Sequence, residues 1–308
     1  MLADFTIKNF RGIKELTLPS LKRVNLFVGK NGVGKTSVLE AVDVWAQTLS
    51  PHALWSVLAQ RSEVLVQGDV RLILTRLFLD AKEPLSLGPV RRENEFRLNH
   101  GGTYSFSFDK GPHQLTTDFG TRIHGSRRIS SSFLPARGLA PGSIATLWEQ
   151  VASKRWDPAT AVRSVIPSVE DAVMVPKGGT IVPLVGLPGQ TERVPLQSLG
   201  DGAVRLFELS LSLMSVAGGL LLIDEIENGI HYSAMTDVWR LILAEAAKHN
   251  VQVFATTHSR DTVYALAEAS KDEDHIVYRI ERYKGVLQAI EFGQDQLNTV
   301  AEFALEIR

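Results

Sequence analysis

The chain contains no cysteine. Disulfide frameworks and thiolate metal sites are therefore excluded, which suits a reducing compartment. An excess of either charge is missing too: 33 Lys and Arg stand against 34 Asp and Glu, a net charge of −1. Such a balance gives no global attraction for a polyanion, although a local basic patch can still provide one. Long apolar runs are also lacking. The longest, around Leu220 to Ile223, is far shorter than a bilayer requires. The opening MLADFTIKNF has neither the basic leader nor the apolar core of a signal peptide. There is no internal repeat, no low-complexity tract and no heptad pattern long enough for a coiled-coil arm. What is present, 308 residues with 44% hydrophobic and 22% charged, reads as a soluble, cytoplasmic protein of one large or two modest domains.

The N-terminal part reads as strands: DFTIKNF alternates, KELTL follows, and VNLFV is a short buried strand. A helix is expected from Lys35, with Val38, Leu39, Val42 and Trp45 on one face, and Pro51 ends or breaks it. From Pro51 to Phe119 the texture suggests antiparallel strands: VRLILTRLFL, EFRL, YSFSF and HQLTTDF, separated by Gly, Asn and Pro turns. SRRISSSFLPARG offers a basic, serine-rich strand and loop. Helices are expected around Ile144 to Ala152 and from Asp157, with Pro158 at the first position. EDAVMVP and TIVPLV return to strand character, with Pro183 suggesting an edge. GGLLLIDE has the near-continuous apolar texture of a parallel strand buried on both faces. A helix from Ser233 to Lys248, the strand VQVFATT and a helix from Ser259 continue an α/β series.

Chemistry concentrates in three places. GKNGVGKT, Gly29 to Thr36, fits G-x-x-x-x-G-K-[ST] in full, between an expected strand and an expected helix. Gly32 and Gly34 let backbone N–H groups turn toward phosphate oxygens, and the helix N-terminus adds positive potential. The cradle then comprises Gly29, Asn31, Gly32, Val33, Gly34 and Ser37, with Lys35 at the β- and γ-phosphates and Thr36 on Mg²⁺. LLLIDE ends in Asp224 and Glu225 at the carboxyl end of a buried strand, where open α/β sheets bind ligands. Asp224 suits the Mg²⁺ position and Glu225 the general base. ENGIH follows, where Asn228 and His231 suit a turn facing a partner subunit. VFATTHS places His258 at a strand tip, able to donate to a γ-phosphate oxygen. Farther upstream, Ser198-Leu199-Gly200-Asp201-Gly202 opens an amphipathic helix with an anion-friendly start, remote in sequence from the phosphate loop.

This order of motifs resembles the ABC-type ATPase head. The resemblance implies an α/β P-loop NTPase of ABC type with an N-terminal antiparallel β region and a β-rich then helical insertion. It divides the chain into 1–50, an insertion at 51–190, and 191–308. It also makes Ser198, Gly200 and Asp201 the signature motif, which binds the γ-phosphate of ATP held by a second molecule; a homodimer with two composite sites follows. IKNFRGIKELTL before the phosphate loop looks like the start of SMC, RecF and OLD-family heads, and by that likeness Asn9 and Arg11 contribute nucleotide contacts. SFLPARG, VPLQSLGDGAVRLFELSLSL and LLLIDEIENGIHYSAMTDVWRLI look most like OLD-type AAA ATPases of bacterial defence and overcoming-lysogenization systems. Two departures stand out. No Q-loop glutamine is evident, Gln114 and Gln150 being candidates by position alone. The metal-binding Toprim domain of OLD nucleases has no counterpart either, since about fifty residues follow His258 and KDEDH reads as a solvated loop.

The expected function is thus an Mg²⁺-dependent ATPase that controls a separate effector, a nuclease or toxin, in a defence-type system. The alternative is a RecF-like DNA-binding ATPase of repair or recombination, for which Arg122, Arg127, Arg128 and Arg137 are candidate phosphate contacts. A transporter ATPase subunit is disfavoured by the NFRG start and the β-rich insertion, and no membrane association is expected.

Overall fold

The structure is a computed structural model. It describes residues 1–47, 51–61, 63, 76–80, 85–90, 96–98, 128–154, 157, 159–177, 180–270, 274–293 and 296–297. Strands β1 (Phe5–Phe10) and β2 (Ile13–Leu18) form an antiparallel pair in which Ile7 faces Leu16 and Phe5 faces Leu18. β3 (Val24–Val28) leads into the phosphate loop and helix α1 (Lys35–Ala46). A second helix, α2, occupies Pro51–Gln60. The expected strand texture gives way here: Pro51 takes the first helical position, where its missing N–H has no consequence.

β4 (Leu85–Gly88) and β5 (Phe96–Leu98) then extend the N-terminal sheet, in the order β2-β1-β4-β5. Of VRLILTRLFL, only residues 76–79 are described, and Phe78 bridges Phe10. YSFSF, HQLTTDF, Gln114, Arg122 and Arg127 lie outside the described residues.

β6 (Ser131–Leu134) is the strand expected in SRRISSSFLPARG. Helix α3 (Pro141–Ala152) begins ahead of Ile144, again with proline at its start. Helix α4 spans Thr160–Val165, later than expected, because Asp157 is used in the preceding turn, its carboxylate accepting from the Ala159 N–H at 2.9 Å. β7 (Asp171–Lys177), β8 (Thr180–Gly186) and the two-residue β9 (Val194–Pro195) make a separate antiparallel sheet. Pro183 sits in its middle strand rather than at an edge, but β9 pairs only with Leu184 and Val185, so Pro183 needs no third neighbour.

A 3₁₀ turn at Leu196–Leu199 opens helix α5 (Asp201–Ser215). β10 (Leu220–Ile223), α6 (Met235–His249), β11 (Gln252–Thr257) and α7 (Arg260–Ala269) follow as expected. A closing hairpin, β12 (His275–Tyr283) and β13 (Val286–Phe292), was not anticipated.

The central sheet runs β13-β12-β3-β11-β10-β6, with β12, β3, β11, β10 and β6 parallel. Its strands alternate between two cores. Val24, Leu26, Val28, Leu221, Ile223, Val253 and Ala255 face a core shared with α5 and α6. Phe27, Leu220, Leu222, Phe254 and Tyr278 face the other, shared with α1, α2 and the N-terminal sheet. Burial on both faces is why these strands read as unbroken apolar runs. Strands from 51–190 therefore enter both larger sheets: β4 and β5 the N-terminal one, β6 the central one. Among the described residues no helix is long and apolar enough to cross a membrane.

Candidate functional site

The carboxyl ends of β3, β10 and β11 bring the sequence-predicted groups together. After β3 the chain turns through Gly29 (φ +152°), Gly32 (φ +73°) and Gly34 (φ +122°), backbone angles that L side chains rarely adopt. Gly29 has a second reason to be glycine: a Cβ there would lie 2.4 Å from the Ile280 carbonyl oxygen of β12. The unforeseen hairpin thus supports the phosphate loop from beneath, with Leu287 of β13 beside Gly34. Gly34 precedes α1 with no side chain bonded across the first turn, which leaves that turn's N–H groups for an anion.

Lys35 is buried. Its Nζ donates to the Gly29 carbonyl at 2.6 Å and the Lys30 carbonyl at 3.1 Å. Burial lowers its pKa, opposed by the charges of Glu225, Asp224 and Glu227. Thr36 Oγ1 donates to Asp224 Oδ1 and Oδ2 at 3.0 and 3.1 Å. The buried Thr256 of β11 donates to Asp224 Oδ1 at 2.6 Å and accepts from the Glu225 N–H at 2.8 Å. Glu225 itself has φ +47°, so the carboxyl end of β10 turns sharply where the two acids meet. Asn228 Nδ2 donates to Glu225 Oε2 at 2.9 Å and to the Ala136 carbonyl at 3.2 Å. A hydroxyl and a carboxylate are hard oxygen donors. They suit Mg²⁺, which keeps waters and substrate phosphates among its ligands, and no self-sufficient cluster of metal-binding side chains occurs among the described residues.

A cavity of about 400 Å³ is lined by Asn31, Gly32, Gly34, Lys35, Thr36, Ser37, Arg61, Asp224 and Glu225. Arg61 had no sequence signal, since it belongs to no motif. Its guanidinium pairs with the buried Glu40 at 2.7 Å and donates to Ser37 Oγ at 3.2 Å. Burial raises the Glu40 pKa, against the pull of Arg11 and Arg61. A neighbouring cavity of about 370 Å³ is walled by Arg11, Gly12, Val33, Gly34, Arg61, Phe78 and Arg282 among others. Arg11, buried, pairs with Glu40 at 2.8 Å and Glu63 at 3.1 Å. Asn9 lines neither cavity; its side-chain amide clasps the Asp80 backbone through both its oxygen and its nitrogen.

His258 lies at the tip of β11, its Nδ1 3.0 Å from Glu227 Oε1 and 3.8 Å from Glu225 Oε1. Glu227, the third acid of DEIE, belongs to no motif of its own, and only the fold brings it to His258. Ser198 and Gly200 are exposed, and Gly200 (φ +95°) precedes α5. Asp201 lines a separate cavity of about 520 Å³ with Arg137, Gln197, Arg205, Glu208, Asn228 and others; no phosphate-loop residue lines it. Arg205 ties the two regions. From α5 its buried guanidinium donates to the carbonyls of Pro135 and Asp224, at 2.6 and 2.9 Å. Gln150 is exposed on α3.

Comparison with known proteins places this geometry. A segment of 90 residues, 27% of the chain, is 33% identical to an "ATP/GTP phosphatase" of Helicobacter pylori, of which it covers 23%. A segment of 49 residues is 47% identical to the "DNA replication and repair protein RecF" of Lactobacillus gasseri, covering 16% of this chain and 13% of that one. The chain thus spans a quarter or less of the length of these relatives. Among solved structures, an SMC head bound to the C-winged helix domain of ScpA aligns over 96% of this chain and 98% of its own, with TM-score 0.59 and 13% identity. The SMC head domain from Thermotoga maritima aligns over 94% and 98%, with TM-score 0.51 and 15% identity. These likenesses establish the fold as the α/β P-loop architecture of ABC-type heads. One family model matches residues 24–263, most of the chain, and the protein belongs to that family, described as "AAA domain, putative AbiEii toxin, Type IV TA system".

Proposed function

We propose that the chain is an Mg²⁺-dependent ATPase, working as an ATP-closed homodimer that controls a separate effector in a defence-type system. The reading is carried by one arrangement: Lys35, Thr36, Asp224 and Glu225 line a single cavity, while the helix start at Ser198–Asp201 opens elsewhere on the surface. In this reading Lys35 contacts the β- and γ-phosphates and the α1 N-terminus cradles them. Thr36 and Asp224 hold Mg²⁺, which when bound neutralises charge on the phosphates. Glu225, its Oε2 fixed by Asn228, draws a proton from the attacking water. Arg11 and Arg61 flank the nucleotide, and His258 meets the γ-phosphate side.

Ser198, Gly200 and Asp201 then serve the nucleotide of a second copy. Contacts made only in the closed dimer give ATP the differential affinity that a switch requires. A nuclease or toxin as the effector, and kinship with OLD-type defence ATPases, rest on the family's description and on the SFLPARG and DEIENGIH stretches.

Purified protein is expected to hydrolyse ATP with Mg²⁺ and to leave DNA and RNA uncut, and Lys35→Ala should abolish turnover and weaken ATP binding. Normal hydrolysis by that variant would refute the assignment of the site. The RecF-like segment favours a second reading, a DNA-activated ATPase. Stimulation of turnover by DNA, with salt-sensitive binding, would select it.

A further inference from the structure

Glu227 has no place in the phosphate cavity, yet it is poorly accounted for by packing alone. Its side chain is 13% exposed, and Oε2 is buried with no hydrogen-bond partner among the described residues. Oε1 accepts from the His258 backbone N–H at 2.9 Å and lies 3.0 Å from Nδ1 of the same residue. That nitrogen is buried and has no aligned hydrogen-bond partner among the described residues, so Glu227 faces it through charge at close range, whereas the His258 side chain as a whole is 40% exposed. The exposed edge of the ring is thus the one carrying Nε2. Glu225 cannot do the same work: its Oε2 is taken by Asn228, and its Oε1 stands 3.8 Å from Nδ1. A carboxylate oxygen 3.0 Å from one ring nitrogen puts its negative charge beside that nitrogen and so favours the proton on Nδ1 over Nε2.

We infer that Glu227 is a positioning residue that holds His258 in the Nδ1–H form, turned so that Nε2 is the atom offered to the nucleotide. Glu227 acts through the ring and does not touch substrate. The same oxygen grips the backbone of His258, so the ring and the strand tip are fixed together rather than separately. The inference rests on the ATPase reading only for its kinetic consequence; the protonated nitrogen can be observed without any turnover.

The test uses the full chain labelled with ¹⁵N-histidine, with His258→Ala to assign the signal. The wild-type ring is expected to show its proton on Nδ1, and a ring protonated on Nε2 alone would overturn the inference whether or not the protein hydrolyses ATP. In Glu227→Leu the Nδ1–H signature should disappear. Turnover should then fall about 10- to 100-fold, as for losing a charged acceptor that holds both the ring and the backbone N–H of His258, with the KM for ATP held within about twofold. Glu227→Gln keeps a neutral acceptor and should retain the Nδ1–H form and recover part of the turnover. In a His258→Ala background Glu227→Leu should cost little more. Equal losses in both backgrounds, or a KM that rises in step with the fall in kcat, would show a merely structural role and overturn the proposal. Absence of ATPase activity in wild type, with Nδ1 protonated, would defeat the functional reading and leave the positioning intact.

Discussion

Thr36 Oγ1 shares its hydroxyl proton between the two carboxylate oxygens of Asp224, 188 residues away in sequence, at 3.0 and 3.1 Å. The phosphate loop and the strand β10 are thereby joined at the point where the proposed metal sits. Asp224→Asn should abolish hydrolysis while ATP still binds. Thr256→Val should be subtler: Thr256 touches Asp224 from behind, at 2.6 Å, and outer partners of metal ligands typically contribute about 10- to 100-fold in affinity. The half-saturating Mg²⁺ concentration for turnover should rise by that factor, and an unchanged value would separate Thr256 from the metal site.

Glu225→Gln removes the proposed base without altering the size of the side chain. Turnover should slow by about two to four orders of magnitude, the usual scale for a general base, with ATP affinity preserved. Because hydrolysis would no longer release the closed state, ATP-bound dimer should accumulate in size-exclusion chromatography. Wild-type turnover in this variant would remove Glu225 from that role.

The groups gathered at the candidate site were legible in the sequence wherever chemistry imposes a local pattern. Gly29 to Thr36 needs glycines at fixed offsets, and β10 needs a run of apolar residues ending in acids, so both showed. The α2 helix did not, because Pro51 reads as a stop when it is also a good first helical residue. The β12–β13 hairpin has no such signature although it pins Gly29; its role depends on a contact between residues 29 and 280 that no local pattern records. Arg61 and Glu40 meet for the same reason, 21 residues apart and without a motif. Glu227 was the opposite case: it stood in plain view beside Asp224 and Glu225, but its engagement with His258 is set by the pairing of β10 with β11.

The support beneath the loop gives a stability prediction. Gly29→Ala sets a methyl group 2.4 Å from a backbone oxygen at φ +152°, whereas the Cβ of Gly32→Ala meets nothing within 4 Å and suffers only from φ +73°. Backbone strain of this kind costs about 1–3 kcal/mol. In nucleotide-free denaturant unfolding Gly32→Ala should lose an amount in that range, and Gly29→Ala should lose more, since a close contact with backbone adds to it. Equal losses would mean that the hairpin yields and is no rigid support.

The central claim is that two chains complete each other's sites, and mixing variants tests it most directly. Ser198→Arg should block the opposing chain's γ-phosphate by bulk while leaving its own Lys35 cavity intact; Lys35→Ala has the reverse defect. Each alone should be inactive, with ATP binding retained in Ser198→Arg. A mixed dimer holds one site whose two halves are both unaltered. ATP turnover of the equimolar mixture should therefore return to a measurable fraction of wild type. Mixed dimers demonstrated to form in ATP, yet as inactive as either parent, would contradict the account.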